Sequence, residues 1–457
     1  MNAQNKPIVI LIIVLIALFL CCCLCTVAGG ALFLANSSHL KQEATLLPSP
    51  TLQTTGQPIS KPSTIDSETL TAMDAIEQEV SKLRGLTLQQ TLKRDFLTPK
   101  ELEERVTTEF FKDYTPEKAD KDVTTLSLLG LLPKGFDLSA FYKQLYAEQI
   151  AGYYDNETKL MVVVAGQHFG GLERSTYAHE FTHALQDAAY DFKNRLGFSD
   201  EACEKNSEAC AALQALIEGD ATYTQMAWMS EYATKKDIQE IQKFYMSFKS
   251  PVLDSAPAYM QEDMSFPYNQ GNVFVKAIIA KDGPQALDKA FTSQKPLSTE
   301  QIMHPSRYPQ DIPQKLTLPD LTGKLGQGWQ ELDRENIGEW YTWLILARGY
   351  DKNYRQIDSI ASAAAEGWGG DEYLVLSNGT ESAFVVKYAW DIEKDAHEAY
   401  KAFQTYTQLR FGKQDASDIA CKDGYCSSLM MNEDNTFTWI ISTSRDALAV
   451  LQSSGLR

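Results

Sequence analysis

Histidine is scarce in these 457 residues, six in all, so any metal site must be built from very few imidazoles. Basic residues are in deficit too: 42 Lys and Arg stand against 60 Asp and Glu, for a net charge of −18. Such a surplus of carboxylates repels phosphate backbones and argues against nucleic-acid binding. Internal repeats and heptad patterning are both missing, which sets aside solenoids and coiled coils. What remains is ordinary for a folded protein, 44% hydrophobic and 22% charged, with length enough for two or three domains.

Charge is missing altogether between Pro7 and Ala35, "PIVILIIVLIALFLCCCLCTVAGGALFLA". That apolar run exceeds the roughly 20 residues a spanning helix needs. Thr26-Val27-Ala28 resembles a signal-peptide cleavage site, but the apolar run continues past it, and the reading preferred is an uncleaved anchor over residues 1–36. Lys6 and the terminal amine precede the run, whereas Lys41 after it is offset by Glu43, so the bulk of the chain is expected outside the cytoplasm. Four of the eight cysteines, Cys21, Cys22, Cys23 and Cys25, fall in this segment and read as apolar packing. The other four form two close pairs, Cys203 with Cys210 and Cys421 with Cys426, as suits local disulfides in an oxidising compartment.

Residues 37–66 are rich in Ser, Thr and Pro without apolar periodicity and read as a solvated linker. Next comes a helix capped by Ser67, with Leu70, Met73, Ile76, Val80 and Leu83 on one face and Gly85 at its end. Further helices are expected in "TPKELEERVTTEFFKDY", opened by a Thr98–Glu101 capping box, and in "DLSAFYKQLYAEQIAGYYD". "KLMVVV" reads as a short strand. Two long helices follow, "STYAHEFTHALQDAAY" and "SEACAALQALIEGDATYTQMAWMSEYA", the second with Ala212, Ala215 and Leu216 toward a core. From about Asp371 the pattern changes to strands "EYLVLS" and "SAFVVKYAW", a helix, strands "SSLMM" and "TFTWIIS", and a last helix. The expected fold is α+β: a mainly helical unit with a short sheet over 67–370 and a smaller α+β module over 371–457.

Within the first long helix His179 and His183 are four residues apart, so their imidazoles stand on one face and can meet one ion. Zinc takes such nitrogen ligands. Glu180, one position round, lies beside the metal, where it can accept a proton from a zinc-bound water. Two such histidines are otherwise polar surface or satisfied core residues. Here Tyr177, Ala178, Phe181, Ala184 and Leu185 flank them, so burial is expected, and buried imidazoles need partners. Glu218, amid small residues in "ALIEGDATY", is the third-ligand candidate.

With these residues the chain resembles the gluzincin branch of zinc metallopeptidases, over roughly Ala147 to Met229. The resemblance implies a zincin-like core with Zn²⁺ held by His179, His183 and Glu218, and Glu180 as general base. It implies peptide-bond hydrolysis on a peptide or protein substrate. The segment "DFKNRLGFSDEACEKNSEAC" lengthens the gap from His183 to Glu218 and departs from the pattern; Asp187 is the rival ligand. Asp187 and Asp220 are otherwise expected as acceptors that fix a histidine tautomer, with helix solvation and capping the competing role. The strand "LMVVV" is expected to lie above the metal as an edge that an extended peptide could join, or to be an ordinary buried strand. Candidates for oxyanion stabilisation are Tyr223, Tyr268, His304 and Tyr308; His168 lies close to the strand or is a fortuitous surface residue, and His39 and His397 are given no role. The combination "AGYYD", "HEFTHALQD", "ALIEGDA", "STEQIMHP" and "GWGGDEY" is similar to bacterial membrane-anchored or secreted HExxH proteins, which lends an architecture and no substrate. The competing class is a catalytically silent surface scaffold that keeps a zincin shell; a third is a latent enzyme whose segments after Met229 cover the cleft.

Overall fold

The computed structural model describes residues 65–149, 152–164, 168–432 and 434–456. Among them no helix is long and apolar enough to cross a membrane. The segment expected to anchor the chain, and the linker up to residue 64, lie outside the described residues.

Helix α1, Ser67–Arg84, buries Met73, Ile76 and Val80, the middle of the predicted stripe, and Gly85 at φ 73° ends it. Its cap is Asp66, whose carboxylate accepts from Thr69 N–H at 2.7 Å, one residue ahead of the Ser67 expected. Strand β1, Lys93–Leu97, follows, then α2, Pro99–Asp113, opened by the expected capping box: Thr98 N–H donates to Glu101 Oε2 at 2.8 Å and Glu101 N–H to Thr98 Oγ1 at 3.2 Å. Helices α3, Pro116–Leu129, and α4, Leu138–Gln149, lead to β2, Gly152–Asp155, and β3, Leu160–Val164. The "GYYD" read as a helix end is therefore a strand. Sheet order is β1-β3-β2, with β3 parallel to β1 and antiparallel to β2. The strand expected to offer an edge is thus the middle one, with both sides paired. The edge beside the histidine helix belongs to β2.

That helix is α5, Gly171–Tyr190, buried at every residue from Ser175 to Asp187. One side packs Tyr177, Ala178, Phe181, Ala184 and Leu185 against Met73, Ile76 and Val80 of α1. Helices α6, Ser207–Glu231, α7, Lys235–Ser247, and α8, Ala258–Asp282, enclose the rest. Cys203 and Cys210 stand at disulfide distance, Cα–Cα 5.1 Å, just ahead of and within the first turn of α6. A β-carbon on Gly219 of α6 would lie 2.2 Å from the backbone of Gly271 in α8, and one on Gly271 would lie 1.9 Å from Ala215 O. The two helices cross in backbone contact that only glycine permits.

Short helix α9, Thr299–Met303, precedes the second sheet. Strands β4, Gln330–Glu335, β5, Trp368–Ser377, and β6, Ser382–Trp390, are followed by helix α11, Glu393–Phe411, with α10, Gly338–Ala347, lying between β4 and β5. Strands β7, Ala420–Lys422, β8, Tyr425–Met431, and β9, Thr436–Ser442, and helix α12, Arg445–Gln452, complete the chain. The order is β4-β5-β6-β9-β8-β7 and every pairing is antiparallel. Alternation sorts the side chains: Tyr373, Val375, Phe384, Val386 and Trp439 face the core shared with the helices, while Leu374, Leu376, Val385 and Ile440 pack on Leu448 and Leu451 of α12. The fold is α+β, as the pattern predicts. Strand β4 was placed by the sequence in the helical segment before residue 371, yet it is an edge of this sheet.

Candidate metal centre

Consecutive turns of α5 set the His179 and His183 rings edge to face with centroids 4.8 Å apart, and α6 brings Glu218 against both. Glu218 Oε2 is 3.1 Å from His179 Nε2 and 3.4 Å from His183 Nε2. One ligand atom from each of the three lies within 4.8 Å of the others, and the group can hold a metal ion. All are buried, at 0%, 3% and 0% exposure, and Glu180 beside them is 1% exposed.

Satisfaction of the polar atoms supports that fit. Glu180 Oε1, His183 Nε2 and Glu218 Oε1 are all buried without a hydrogen-bond partner in the protein. Two carboxylate oxygens without a donor, beside two imidazole nitrogens that meet at Glu218, form a ligand set suited to a cation. Burial, with His183 adding, lowers His179 from its ordinary value against the pull of Glu218. For His183 the same burial is outweighed by the Glu218 carboxylate, which pushes it up to about 9. Burial likewise opposes the charged form of Glu218, yet His183 and His179 hold its carboxyl below the usual range. Burial pushes Glu180 up to about 8, with the Glu218 charge adding to the rise and His183 and the Tyr154 N–H working against it.

The residues that face the outer ring nitrogens are glutamines. Gln186 Oε1 is 2.9 Å from His183 Nδ1, and Gln225 Oε1 is 3.3 Å from His179 Nδ1. Neither aspartate singled out from the sequence has that place. Asp187 accepts from Tyr154 Oη at 2.9 Å, from Phe192 N–H at 3.2 Å and from Lys159 Nζ, and takes no part in the group of three. Asp220 accepts from Gln186 Nε2 at 2.8 Å and so acts one residue further out. Glu180 Oε2 accepts from the Tyr154 N–H of β2 at 3.0 Å.

Of the four oxyanion candidates the fold brings Tyr268 to this place, its ring 6.2 Å from that of His179. Burial pushes its phenol well above the usual value, with the charges of Glu218 and Glu180 adding. The Gly219–Gly271 crossing puts it there, since Tyr268 lies one turn before Gly271. His304 pairs instead with Glu339 at 2.8 Å, and Tyr308 donates to Gln294 O. Tyr223 is partly buried against the main core. His168 lies near Glu240 at the surface, His397 bonds Glu393 O, and His39 is outside the described residues. A second acidic trio, Glu300, Asp311 and Asp391, already holds a cation, because Arg307 Nη1 contacts all three.

Gln186 and Gln225 were not singled out from the sequence, although a signal exists. Gln186 follows His183 by three residues, and Gln225 follows Glu218 by seven, two helical turns along the same face.

A family model described as "Domain of unknown function (DUF8575)" matches residues 326–452. The matched stretch carries the second sheet and none of the metal-centre residues. No curated protein and no solved structure matches the chain.

Proposed function

We propose that this protein is a zinc-dependent peptidase held outside the cytoplasm by its apolar N-terminal segment. The carrying observation is the buried meeting of two imidazoles and a carboxylate, with a second carboxylate oxygen, Glu180 Oε1, orphaned beside them. His179, His183 and Glu218 hold the ion. Bound there, zinc supplies a Lewis acid that polarises the scissile carbonyl and acidifies water. Glu180 Oε1 takes a proton from the attacking water and returns it to the leaving amine, while Tyr154 N–H steadies Oε2. The Tyr268 hydroxyl is the donor for the developing oxyanion. Both cysteine pairs at disulfide distance support an oxidising compartment.

The test is Glu180→Gln in the full chain, assayed for bound zinc and for cleavage of a peptide library. Zinc retained at one equivalent with hydrolysis reduced at least about a hundredfold is the expected result. Undiminished hydrolysis removes Glu180 from the chemistry, and a wild-type protein that binds no zinc ends the reading.

One observation favours a second reading. The four site side chains are at most 3% exposed, so a substrate must open the molecule to reach them. A silent scaffold with a structural ion has no such need, and neither does a latent enzyme closed by α8. Zinc bound without cleavage by intact or proteolytically trimmed protein favours the scaffold; cleavage only after trimming favours latency.

A further inference from the structure

We infer that Gln186 and Gln225 are positioning residues that hold both imidazoles with Nε2 toward Glu218, and that Arg84 of α1 anchors the Gln186 arm through Asp220. The inference rests on the metal centre proposed above.

The amide orientations follow from the partners alone. Gln186 Nε2 donates to Ile217 O at 3.0 Å and to Asp220 Oδ2 at 2.8 Å, and neither oxygen has a hydrogen to give back. The NH₂ must therefore lie on that side, which leaves Oε1 facing His183 Nδ1. An amide oxygen only accepts, so Nδ1 carries the proton and the Nε2 lone pair turns to Glu218. The second arm repeats the logic: Gln225 Nε2 donates to Ser175 O at 3.2 Å and to Ser175 Oγ at 2.9 Å, which turns Oε1 to His179 Nδ1.

The arms differ in their anchorage. Gln225 is tied within the α5–α6 pair. Gln186 depends on Asp220, whose Oδ2 also accepts from Arg84 Nε at 2.9 Å, with side-chain exposures of 0% and 7%. Arg84 is the last residue of α1, and its remaining nitrogens reach Tyr190 Oη and Asp288. The first helix after the linker is in this way joined to a metal ligand by three consecutive hydrogen bonds. Both amides are neutral, so the two arms add no charge of their own beside His183 and His179.

The experiment measures zinc affinity by competition with a chromophoric chelator, on full chains checked for unchanged folding. Gln186→Leu and Gln225→Leu each weaken zinc about ten- to a hundredfold, and Arg84→Met weakens it by less than Gln186→Leu. In the zinc-loaded wild type, long-range ¹⁵N–¹H spectra show the proton on Nδ1 of both rings, a reading that needs no variant to fold. Leucine variants that bind zinc as tightly as wild type, or a ring bound through Nδ1, overturn the inference and leave the metal centre standing. A wild type that binds no zinc sinks the metal centre itself.

Discussion

Tyr154 holds Glu180 with its backbone and Asp187 with its side chain: its N–H donates to Glu180 Oε2 at 3.0 Å and its hydroxyl to Asp187 Oδ2 at 2.9 Å. One residue of an edge strand thus fixes the carboxylate beside the candidate metal centre and the end of the helix that carries it. The two contacts are separable. Tyr154→Phe removes only the hydroxyl, and Asp187 keeps Lys159 and Phe192 N–H. Stability should fall by about 1–2 kcal/mol, as for a buried hydrogen bond with one partner removed, while zinc stoichiometry stays unchanged. Urea titration and metal analysis of the same preparation check both halves; lost zinc would show that the hydroxyl shapes the centre directly.

The close crossing of α6 and α8 makes a second prediction. Gly219→Ala puts a methyl group into the Gly271 backbone, which cannot move as a side-chain tip can. The helices must separate, at a cost of about 3 kcal/mol, and zinc affinity should drop because Tyr268 and Glu218 flank that contact. Gly323→Ala is the control, since its added carbon meets nothing within 4 Å and should change stability by less than about 0.5 kcal/mol. Equal denaturation midpoints for the two variants would refute the steric account.

How much of this was open to the sequence depends on whether a residue's partner is local. The histidine helix announced itself through the i, i+4 spacing, and Glu218 through small neighbours on the next long helix. Both signals lie within one element. The strands β5, β6 and β9 were equally plain, because β-branched and aromatic residues are concentrated there. Strand β4, Gln-Glu-Leu-Asp-Arg-Glu, was invisible because an edge strand tolerates charge, and β1, Lys-Arg-Asp-Phe-Leu, was hidden for the same reason. Asp187 and Asp220 were expected as partners of the histidines because carboxylates commonly fill that place. Gln186 reaches His183 Nδ1 within α5 at the i, i+3 spacing, whereas the reach of Gln225 to His179 depends on how α5 sits against α6, which no spacing within one helix encodes.

A third prediction concerns pH. Glu208, in the first turn of α6, accepts from Thr299 N–H at 2.5 Å and from Thr299 Oγ1 at 2.7 Å, 5% exposed. Burial pushes its carboxyl up to about 8, with Asp371 and Glu339 adding charge nearby; burial also raises Asp371, to about 6. The folded state then binds more protons than the unfolded one, so stability falls as pH rises. The window for Glu208 opens near the unfolded value of about 4.5 and closes near 8, and the change is on the order of a few kcal/mol. Glu208→Gln keeps an acceptor for Thr299 and cannot ionise, so its urea midpoint should vary less between pH 5 and pH 8 than that of wild type. Identical pH slopes would show that other groups carry the effect.

Metal removal gives the last prediction, and it does not depend on catalysis. Without an ion, Glu180 Oε1 and Glu218 Oε1 stay buried without a hydrogen-bond partner, so the folded state bears a desolvation cost the unfolded chain escapes. An ion bound only by the folded protein offsets it, and free zinc at a hundred times the dissociation constant adds about 2.7 kcal/mol of stability. The unfolding midpoint of chelator-treated protein should therefore rise with added zinc and keep rising logarithmically after the site is full. Glu218→Ala should flatten that dependence, since two imidazoles alone leave the ion short of a ligand, yet it also removes a buried carboxylate and can leave the metal-free protein no less stable than wild type. The diagnostic quantity is the slope against zinc concentration and not the starting stability: a slope preserved in Glu218→Ala would place the ion elsewhere on the molecule.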